Sequence, residues 1–162
     1  MRSRACFLLV LIALVGFFLA AKLRYPGKPP VKLPAEKCDE IVWQHVYAPS
    51  RLKVIEVCTA VEGRVLSLHE AEDGDLHIAL DPDQKSVLNL RNAAHTHRTL
   101  VVEIVCEHPS SEPESVAACG SYRSAITVPK AGDRVRVTGS YVIDTESGWS
   151  EIHPVSRVEI LP

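Results

Sequence analysis

Apolar and polar residues alternate with a period of two along much of the chain after residue 50. This is the pattern of β-strands that bury one face. Five such runs occur, at 54–68, 75–80, 100–106, 134–143 and 149–161. No stretch of comparable length after residue 50 has the three- to four-residue period of an amphipathic helix. The pattern therefore predicts an all-β domain.

Turn-forming residues separate these runs. Asp73-Gly74 and the segment 144–148 predict two tight hairpin turns, and Gly63 predicts a bend in the long first strand. The segments 89–99 and 107–130 are polar and predict loops, with a short helix at 114–118 in the second loop. Pro154 interrupts the fifth run and predicts a sheet edge or a bulge there. Together these features predict a small five-stranded Greek-key barrel of the OB type, with another small antiparallel sandwich or barrel as the alternative.

The N-terminus differs from the rest of the chain. Arg2 and Arg4 precede an apolar run from Ala5 to Ala21, which predicts an export signal or a membrane anchor over residues 1–21. The end of the run matches the usual cleavage pattern poorly, which favours an uncleaved anchor. Residues 22–37 are basic and rich in proline and predict an extended linker. The folded domain is expected at 38–162, with the membrane as a partner of the N-terminal segment.

Charge divides the chain at the same place. Six basic residues up to Lys32 meet no acid, which leaves twelve Lys and Arg against all twenty Asp and Glu, a formal net charge of −8. Proteins that bind nucleic acids non-specifically do so chiefly by neutralising phosphates with basic side chains. An acidic domain lacks that basic surface, so a nucleic-acid partner is not expected.

Four cysteines lie in the expected domain, which is an even number in a chain with an export signal. Three pairings are possible. We expect disulfide bonds between Cys38 and Cys58 and between Cys106 and Cys119, because each pair would close a short loop of the chain. A structural zinc site is the alternative, although the sequence contains no CxxC motif. Disulfides would place the domain on the extracytoplasmic side of a membrane, or outside the cell if the N-terminal segment is cleaved.

Two short segments, one in the first hairpin and one in the fifth strand, set acids beside a histidine. They are Asp73-Gly74-Asp75-Leu76-His77 and Gly148-Trp149-Ser150-Glu151-Ile152-His153-Pro154. By the period of two, Asp75 and His77 share one face of a strand, as do Trp149, Glu151 and His153. We take these five residues as the candidate ligand-binding site.

Imidazole and carboxylate are ordinary ligands of divalent metals, so Asp75, His77, Glu151 and His153 are also a candidate metal site. The same groups could serve as a general acid and base. Structural roles are the alternative: the aspartates satisfy turn amides, Glu151 pairs with a strand arginine, and His153 is a buried histidine. The sequence does not identify a cofactor beyond this possible divalent metal.

The two segments, taken with Val137-Thr138-Gly139 and the surrounding pattern, resemble a family of exported, OB-like bacterial proteins of uncharacterised function. The resemblance covers the chain from Cys38 onward and implies the OB-like fold, but it implies no activity. A shorter resemblance links Asp73-Gly74-Asp75 to the thermonuclease family, in which Asp75 would match a calcium-binding carboxylate. The other thermonuclease motifs are absent here, since only Asp81-Pro82-Asp83 follows the second strand.

The sequence therefore favours an exported or membrane-anchored binding or interaction module over an enzyme. A metal-dependent hydrolase or phosphodiesterase and a structural envelope protein are the alternatives. No GxSxG motif, phosphate-binding loop or other catalytic signature occurs in the chain.

Overall fold

The computed structural model describes residues 37–162, so the expected membrane segment and nearly all of the linker lie outside the described residues. The described part is mostly β, as the alternation predicts. Its five strands are β1 (Leu52–Glu70), β2 (Leu76–Pro82), β3 (Leu100–Ile104), β4 (Arg134–Asp144) and β5 (Ser150–Ile160). Each begins and ends within a few residues of the run that predicts it.

The five strands of residues 37–162 form one mixed sheet that closes on itself in the order β1-β2-β3-β5-β4. The long β1 makes the closure possible, because it pairs with β2 through its C-terminal half and with β4 along most of its length. Gly63 lies where both partners meet β1, opposite Pro82 and Val135. A Cβ there would lie 2.4 Å from the Asp81 carbonyl oxygen, so the close approach requires glycine.

The pairing of β3 with β5 is parallel, whereas the other four pairings are antiparallel. Val101 lies beside Glu151 and Val102 beside Ile152. This contact joins strands that are far apart in the sequence. It places β5, which carries the candidate residue His153, next to β3.

The closed sheet encloses the main hydrophobic core. Alternate residues of the strands point inward and are almost fully buried, among them Ile78, Leu80, Val102, Val137 and Ile152. A second, smaller core lies where a 3₁₀ helix, Glu40–His45, packs near the short helix Pro113–Cys119. It contains Val42, Val46, Leu52, Val105 and Val142 with the Cys106–Cys119 disulfide. Because of this second layer, polar residues on part of the sheet's outer face are buried rather than exposed.

One segment expected to be a loop contains a helix. Residues Leu90–His95 form a short helix that starts at Asn89. The Asn89 side chain accepts hydrogen bonds from the backbone amides of Arg91 and Asn92, and the Asn92 side chain accepts one from the Asn89 amide. This reciprocal cap stabilises the helix, and it uses two asparagines in place of the usual Ser or Thr with Glu. The expected short helix at 114–118 is present as Pro113–Cys119.

Pro154 does not end β5. The strand continues through a cis His153-Pro154 peptide bond, and its pairing with β4 shifts register on either side of Gly139. A Cβ on Gly139 would lie 2.5 Å from the Pro154 carbonyl oxygen. The glycine thus lets the two strands approach closely at the irregularity that the proline predicts.

Both expected disulfides are present, Cys38–Cys58 and Cys106–Cys119, each with a Cα–Cα distance of 5.6 Å. Disulfides persist in oxidising compartments, so the domain fits an extracytoplasmic environment. Within residues 37–162, no helix has the length and apolar composition needed to cross a membrane.

Candidate functional site

The fold brings four acidic and basic side chains together beneath the surface. Asp75 ends the first hairpin loop, Glu103 lies on β3, and Glu151 and His153 lie on β5. All four are between 0% and 3% exposed. We call Asp75, Glu103, Glu151 and His153 the buried cluster.

His153 is the centre of the buried cluster. Its Nδ1 lies 2.8 Å from Glu103 Oε2 and 3.3 Å from Glu151 Oε1. The Trp149 indole Nε1 donates a hydrogen bond of 3.1 Å to the other oxygen of Glu151. Trp149, Glu151 and His153 therefore share one face of β5, as the period of two predicts, and Trp149 fixes the orientation of the Glu151 carboxylate.

Asp75 approaches His153 from the hairpin side. Its Oδ1 accepts a 2.8 Å hydrogen bond from the backbone amide of Cys106, which fixes the carboxylate. Its Oδ2 then faces His153 Nε2 at 4.0 Å. Neither of these two facing atoms has a hydrogen-bond partner within the described chain. Leaving a buried polar atom without a partner costs about 1–3 kcal/mol, so this gap is an unusual feature.

His77 lies at the edge of the buried cluster. It pairs with Glu103 across β2 and β3 and with His69 across β1 and β2. Its Nε2 lies 3.5 Å from Glu103 Oε1, and about a third of its side chain is exposed. His77 is thus the side chain that connects the buried cluster to the surface.

The charges of the buried cluster follow from its geometry. Burial disfavours the charged imidazolium of His153, but the carboxylates of Glu103 and Glu151 outweigh it and raise the His153 pKa to about 10. Burial likewise opposes ionisation of Glu103, but His153 outweighs it and lowers the Glu103 pKa to about 2. The pair is therefore an imidazolium and a carboxylate at neutral pH.

The pKa values of the other two acids in the buried cluster are raised instead of lowered. Burial raises the pKa of Asp75 to about 7, and the nearby charge of Asp73 adds to this shift. Burial also raises the pKa of Glu151, against the lowering effect of its hydrogen bond with His153. Desolvation makes an isolated buried charge costly, and of these three acids only Glu103, the closest to the imidazolium, has a lowered pKa.

A cleft of about 440 Å³ opens beside His77, between the two hairpin turns. Four acids line it: Glu72 and Asp73 from the first turn, Glu112 from the loop after β3, and Glu146 from the second turn. Its other polar lining residues are Tyr47, Arg51, His69 and His77. We call this the acidic cleft.

A larger cleft of about 730 Å³ lies elsewhere, beside Trp43 and the Cys38–Cys58 disulfide. It borders Lys37, the first described residue, and it contains none of the candidate site residues.

The structure places the five candidate residues within one region but gives them different surroundings. Asp75, Glu151 and His153 belong to the buried cluster, His77 lines the acidic cleft, and Trp149 orients Glu151. Glu151 does not pair with Arg134 or Arg136. Those arginines lie against other acids, Asp83 and Glu62.

Sequence reasoning missed Glu103. It occupies a strand whose other residues are all apolar, Leu100-Val101-Val102 and Ile104. A single carboxylate in such a strand is a usable signal, because it must face a polar partner if both sides of the strand are buried. Arg51 was missed as well: it lies 3.6 Å from Asp144 at the wall of the acidic cleft.

One carboxylate oxygen each from Asp75 and Glu103 and one ring nitrogen of His153 all lie within 4.8 Å of one another. This set has the residue types and the spacing of a divalent metal site. Asp75 also lies near the sulfurs of Cys106 and Cys119, but those sulfurs form a disulfide and are not thiolate ligands. The four-residue metal set expected from the sequence shares Asp75 and His153 with this one.

No protein-family model matches the chain, and no curated protein matches it. The function must therefore be argued from the site itself.

Proposed function

We propose that this protein is an extracytoplasmic OB-type binding module that holds a small organic cation, such as an amine, in the acidic cleft. The N-terminal segment would anchor it to the membrane or direct its export. The family of exported OB-like bacterial proteins that it resembles would share this architecture.

The OB-type assignment is supported by the strand order and the length of β1. A long bent first strand pairs with two partners, a tight hairpin follows, and a loop with a short helix separates β3 from β4. The parallel contact between β3 and β5 then closes the sheet. These features are expected of a five-stranded Greek-key barrel whose loops form a ligand site.

The observation that carries the proposal is the unbalanced charge of the acidic cleft. Within residues 37–162, Glu72, Asp73, Glu112 and Glu146 have no Lys or Arg ion-pair partner. Four carboxylates that converge on one concave surface attract positive charge, and the low-dielectric walls of a cleft strengthen this attraction. The cleft volume is within the usual range for small-molecule sites.

The arginine in the acidic cleft offsets these charges only in part, because it interacts more strongly with Asp144 than with Glu146. Arg51 Nε lies 3.6 Å from Asp144 Oδ2, and the Arg51 side chain is only 20% exposed. The guanidinium is thus already directed toward an acid in the wall. Tyr47 adds an aromatic surface, with its hydroxyl donating to Glu114. A ligand cation would therefore meet carboxylates and an aromatic ring, both of which favour ammonium groups.

Titration of the full chain with spermidine by calorimetry tests the proposal. We expect saturable binding that weakens as salt is added, since exposed charges are screened. The double substitution Glu72→Gln with Glu146→Gln removes one carboxylate from each turn. Each removal should weaken binding by up to about fivefold, because exposed ion pairs contribute up to about 1 kcal/mol.

The matched control is Glu40→Gln with Glu56→Gln, which removes the same charge from positions outside the acidic cleft. It should leave spermidine binding almost unchanged. Equal weakening by both double variants would mean that only the net negative charge of the domain attracts the cation. No saturable binding in the original chain would overturn the proposal and favour the structural envelope protein.

The hydrolase expected as an alternative from the sequence has less support. Asp75, Glu151 and His153 are at most 2% exposed, so a substrate has no direct access to them. His77 alone of that set faces the acidic cleft. A single imidazole at a surface cleft is a weak basis for hydrolysis, because the remaining groups must also reach the reacting atoms.

A further inference from the structure

The buried cluster contains a gap that the binding of a cation in the acidic cleft does not explain. Asp75 Oδ2 and His153 Nε2 face each other at 4.0 Å, and both side chains are at least 97% buried. Neither atom has a hydrogen-bond partner in the described part of the chain. Two polar atoms in this arrangement are too far apart to bond each other and close enough to share a third partner.

The spacing is close to that of two ligands of one metal ion. Zinc binds imidazole nitrogen at about 2.0–2.1 Å and carboxylate oxygen at about 2.0–2.2 Å in a tetrahedral arrangement, so two ligands of one ion lie about 3.3–3.5 Å apart. The two side chains would therefore approach each other by about half an ångström on binding an ion. Glu103 completes a set of three, with its oxygen, the Asp75 oxygen and a His153 nitrogen all within 4.8 Å of one another. We infer that Asp75, Glu103 and His153 form a buried site for one divalent transition metal ion of the zinc class. The ion would replace the proton on His153 Nε2, which is released to solvent, because only a neutral imidazole ligates a metal.

The surroundings of these three residues fit that role. A metal-bound histidine usually has its second ring nitrogen hydrogen-bonded to a carboxylate or carbonyl, which fixes the ring. Here His153 Nδ1 lies 2.8 Å from Glu103 Oε2 and 3.3 Å from Glu151 Oε1, and Glu151 is itself held by the Trp149 indole. Asp75 is oriented in the same way, because its Oδ1 accepts from the Cys106 amide and leaves Oδ2 directed at His153.

The acidic cleft lies beside the site. His77 lines the cleft and is partly exposed, and its Nε2 lies 3.5 Å from Glu103 Oε1. An ion in the cleft that contacts His77 is thus one side chain away from Glu103. The carboxylates of the cleft would raise the local concentration of divalent cations at this point.

The test uses the full chain, stripped with a chelator and then titrated with Zn²⁺ and, in parallel, with Co²⁺. We expect one ion per chain, a higher melting temperature in the loaded protein, and a Co²⁺ absorption spectrum typical of nitrogen and oxygen ligands. A protein that binds neither ion stoichiometrically would overturn the inference, and the gap would then hold water.

Graded variants separate a metal site from a merely structural cluster. Replacing a residue that orients a metal ligand typically weakens metal binding by about 10–100-fold, which we expect for Glu151→Gln. Asp75→Asn and His153→Gln remove ligand atoms and should weaken Zn²⁺ binding by more than Glu151→Gln does. His95→Gln, at an exposed histidine outside the cluster, is the control and should not change the affinity. If His95→Gln abolishes binding while His153→Gln retains it, the ion is bound adventitiously at the surface.

A measurement on the unsubstituted chain covers the case in which a variant fails to fold. The ¹⁵N NMR shifts of the histidine rings identify which nitrogen binds zinc, and we expect the His153 Nε2 signal to change on loading. A change at other histidines only would contradict the inference. The Glu72→Gln with Glu146→Gln variant should lose affinity for spermidine yet still bind stoichiometric Zn²⁺, so the two proposals can fail separately.

Discussion

His153 on β5 and Glu103 on β3 form an ion pair inside the protein, with Nδ1 2.8 Å from Oε2 and both side chains at least 96% buried. Fifty positions separate the two residues in the chain. They meet because β3 and β5 are neighbours in the closed sheet. This contact determines the charge state of the buried cluster. It therefore also determines how the stability of the domain responds to substitutions in the cluster and to pH.

Glu103→Gln should destabilise the domain strongly. The substitution leaves the buried imidazolium with a weaker partner, and removal of one member of a buried ion pair typically costs about 3–5 kcal/mol. Urea unfolding of the metal-free protein at pH 7 gives the change in unfolding free energy. A double-mutant cycle with His153→Gln should show coupling of about 0.5–3 kcal/mol, as expected for residues in contact. Additive effects would mean that the two side chains do not interact.

The metal-free domain should lose stability as the pH rises from about 6.5 to about 10. An ordinary histidine has a pKa near 6.5, whereas the folded-state pKa of His153 is raised to about 10. Below the lower value both states hold the proton, and between the two values only the folded state holds it. The folded state then binds more protons, so its stability falls as pH rises. Urea unfolding at pH 7, 8, 9 and 10 measures the slope, which should be much smaller in His153→Gln.

The Asp75→Asn variant should gain stability relative to the unsubstituted protein as the pH rises from 4 to 8. The Asp75 pKa is raised from 3.8 to about 7, so the folded state retains a proton that the unfolded state releases in this range. Each unit of pKa difference corresponds to about 1.4 kcal/mol, and asparagine is neutral throughout. Unfolding free energies of both metal-free proteins at pH 4, 6 and 8 provide the test. A constant difference over this range would show that Asp75 ionises normally.

Each disulfide should contribute to stability mainly by restricting the unfolded chain. The two bonds close loops with sequence separations of 20 and 13 residues. Replacing either pair with serines should cost about 2–4 kcal/mol, and the longer loop should cost slightly more. Thermal unfolding with and without reductant measures the effect, and a reductant should have no further effect on a variant that lacks all four disulfide-bonded cysteines. No change in melting temperature on reduction would contradict the expected role.

Much of the fold was predictable because its signals are local. The alternation at 76–80 and 134–143 identified two strands, and Asp73-Gly74 and Gly148 identified the turns beside them. The helix at Leu90–His95 was not predicted, because its cap consists of Asn89 and Asn92, which also favour loops. Pro154 predicted an edge or a bulge, and the structure has a register shift around Gly139, the residue that pairs with Val155.

The candidate site was predictable only in part. The two segments that carry Asp75 and His153 do meet, and Glu151 lies beside His153, as the period of two predicts, while the Trp149 indole donates to Glu151. The sequence could not show that Glu103 would be the nearest acid to the imidazole. Nor could it show that an outer face of the sheet would be covered, because that burial results from the packing of the N-terminal 3₁₀ helix and the short helix Pro113–Cys119.

The sequence by itself determined the strands, the turns, the acidic charge of the domain and the residue types available for a site. These properties depend on neighbours one to four positions apart, so they can be deduced along the chain. Only the tertiary structure decided which groups share a low-dielectric space. Closure of the sheet places β3 beside β5, so Glu103 stabilises the charged form of His153. It also sets Asp75 Oδ2 opposite His153 Nε2, and neither atom has a hydrogen-bond partner among residues 37–162. Coulombic and metal-binding interactions depend on distance in space, and strand order and register set that distance.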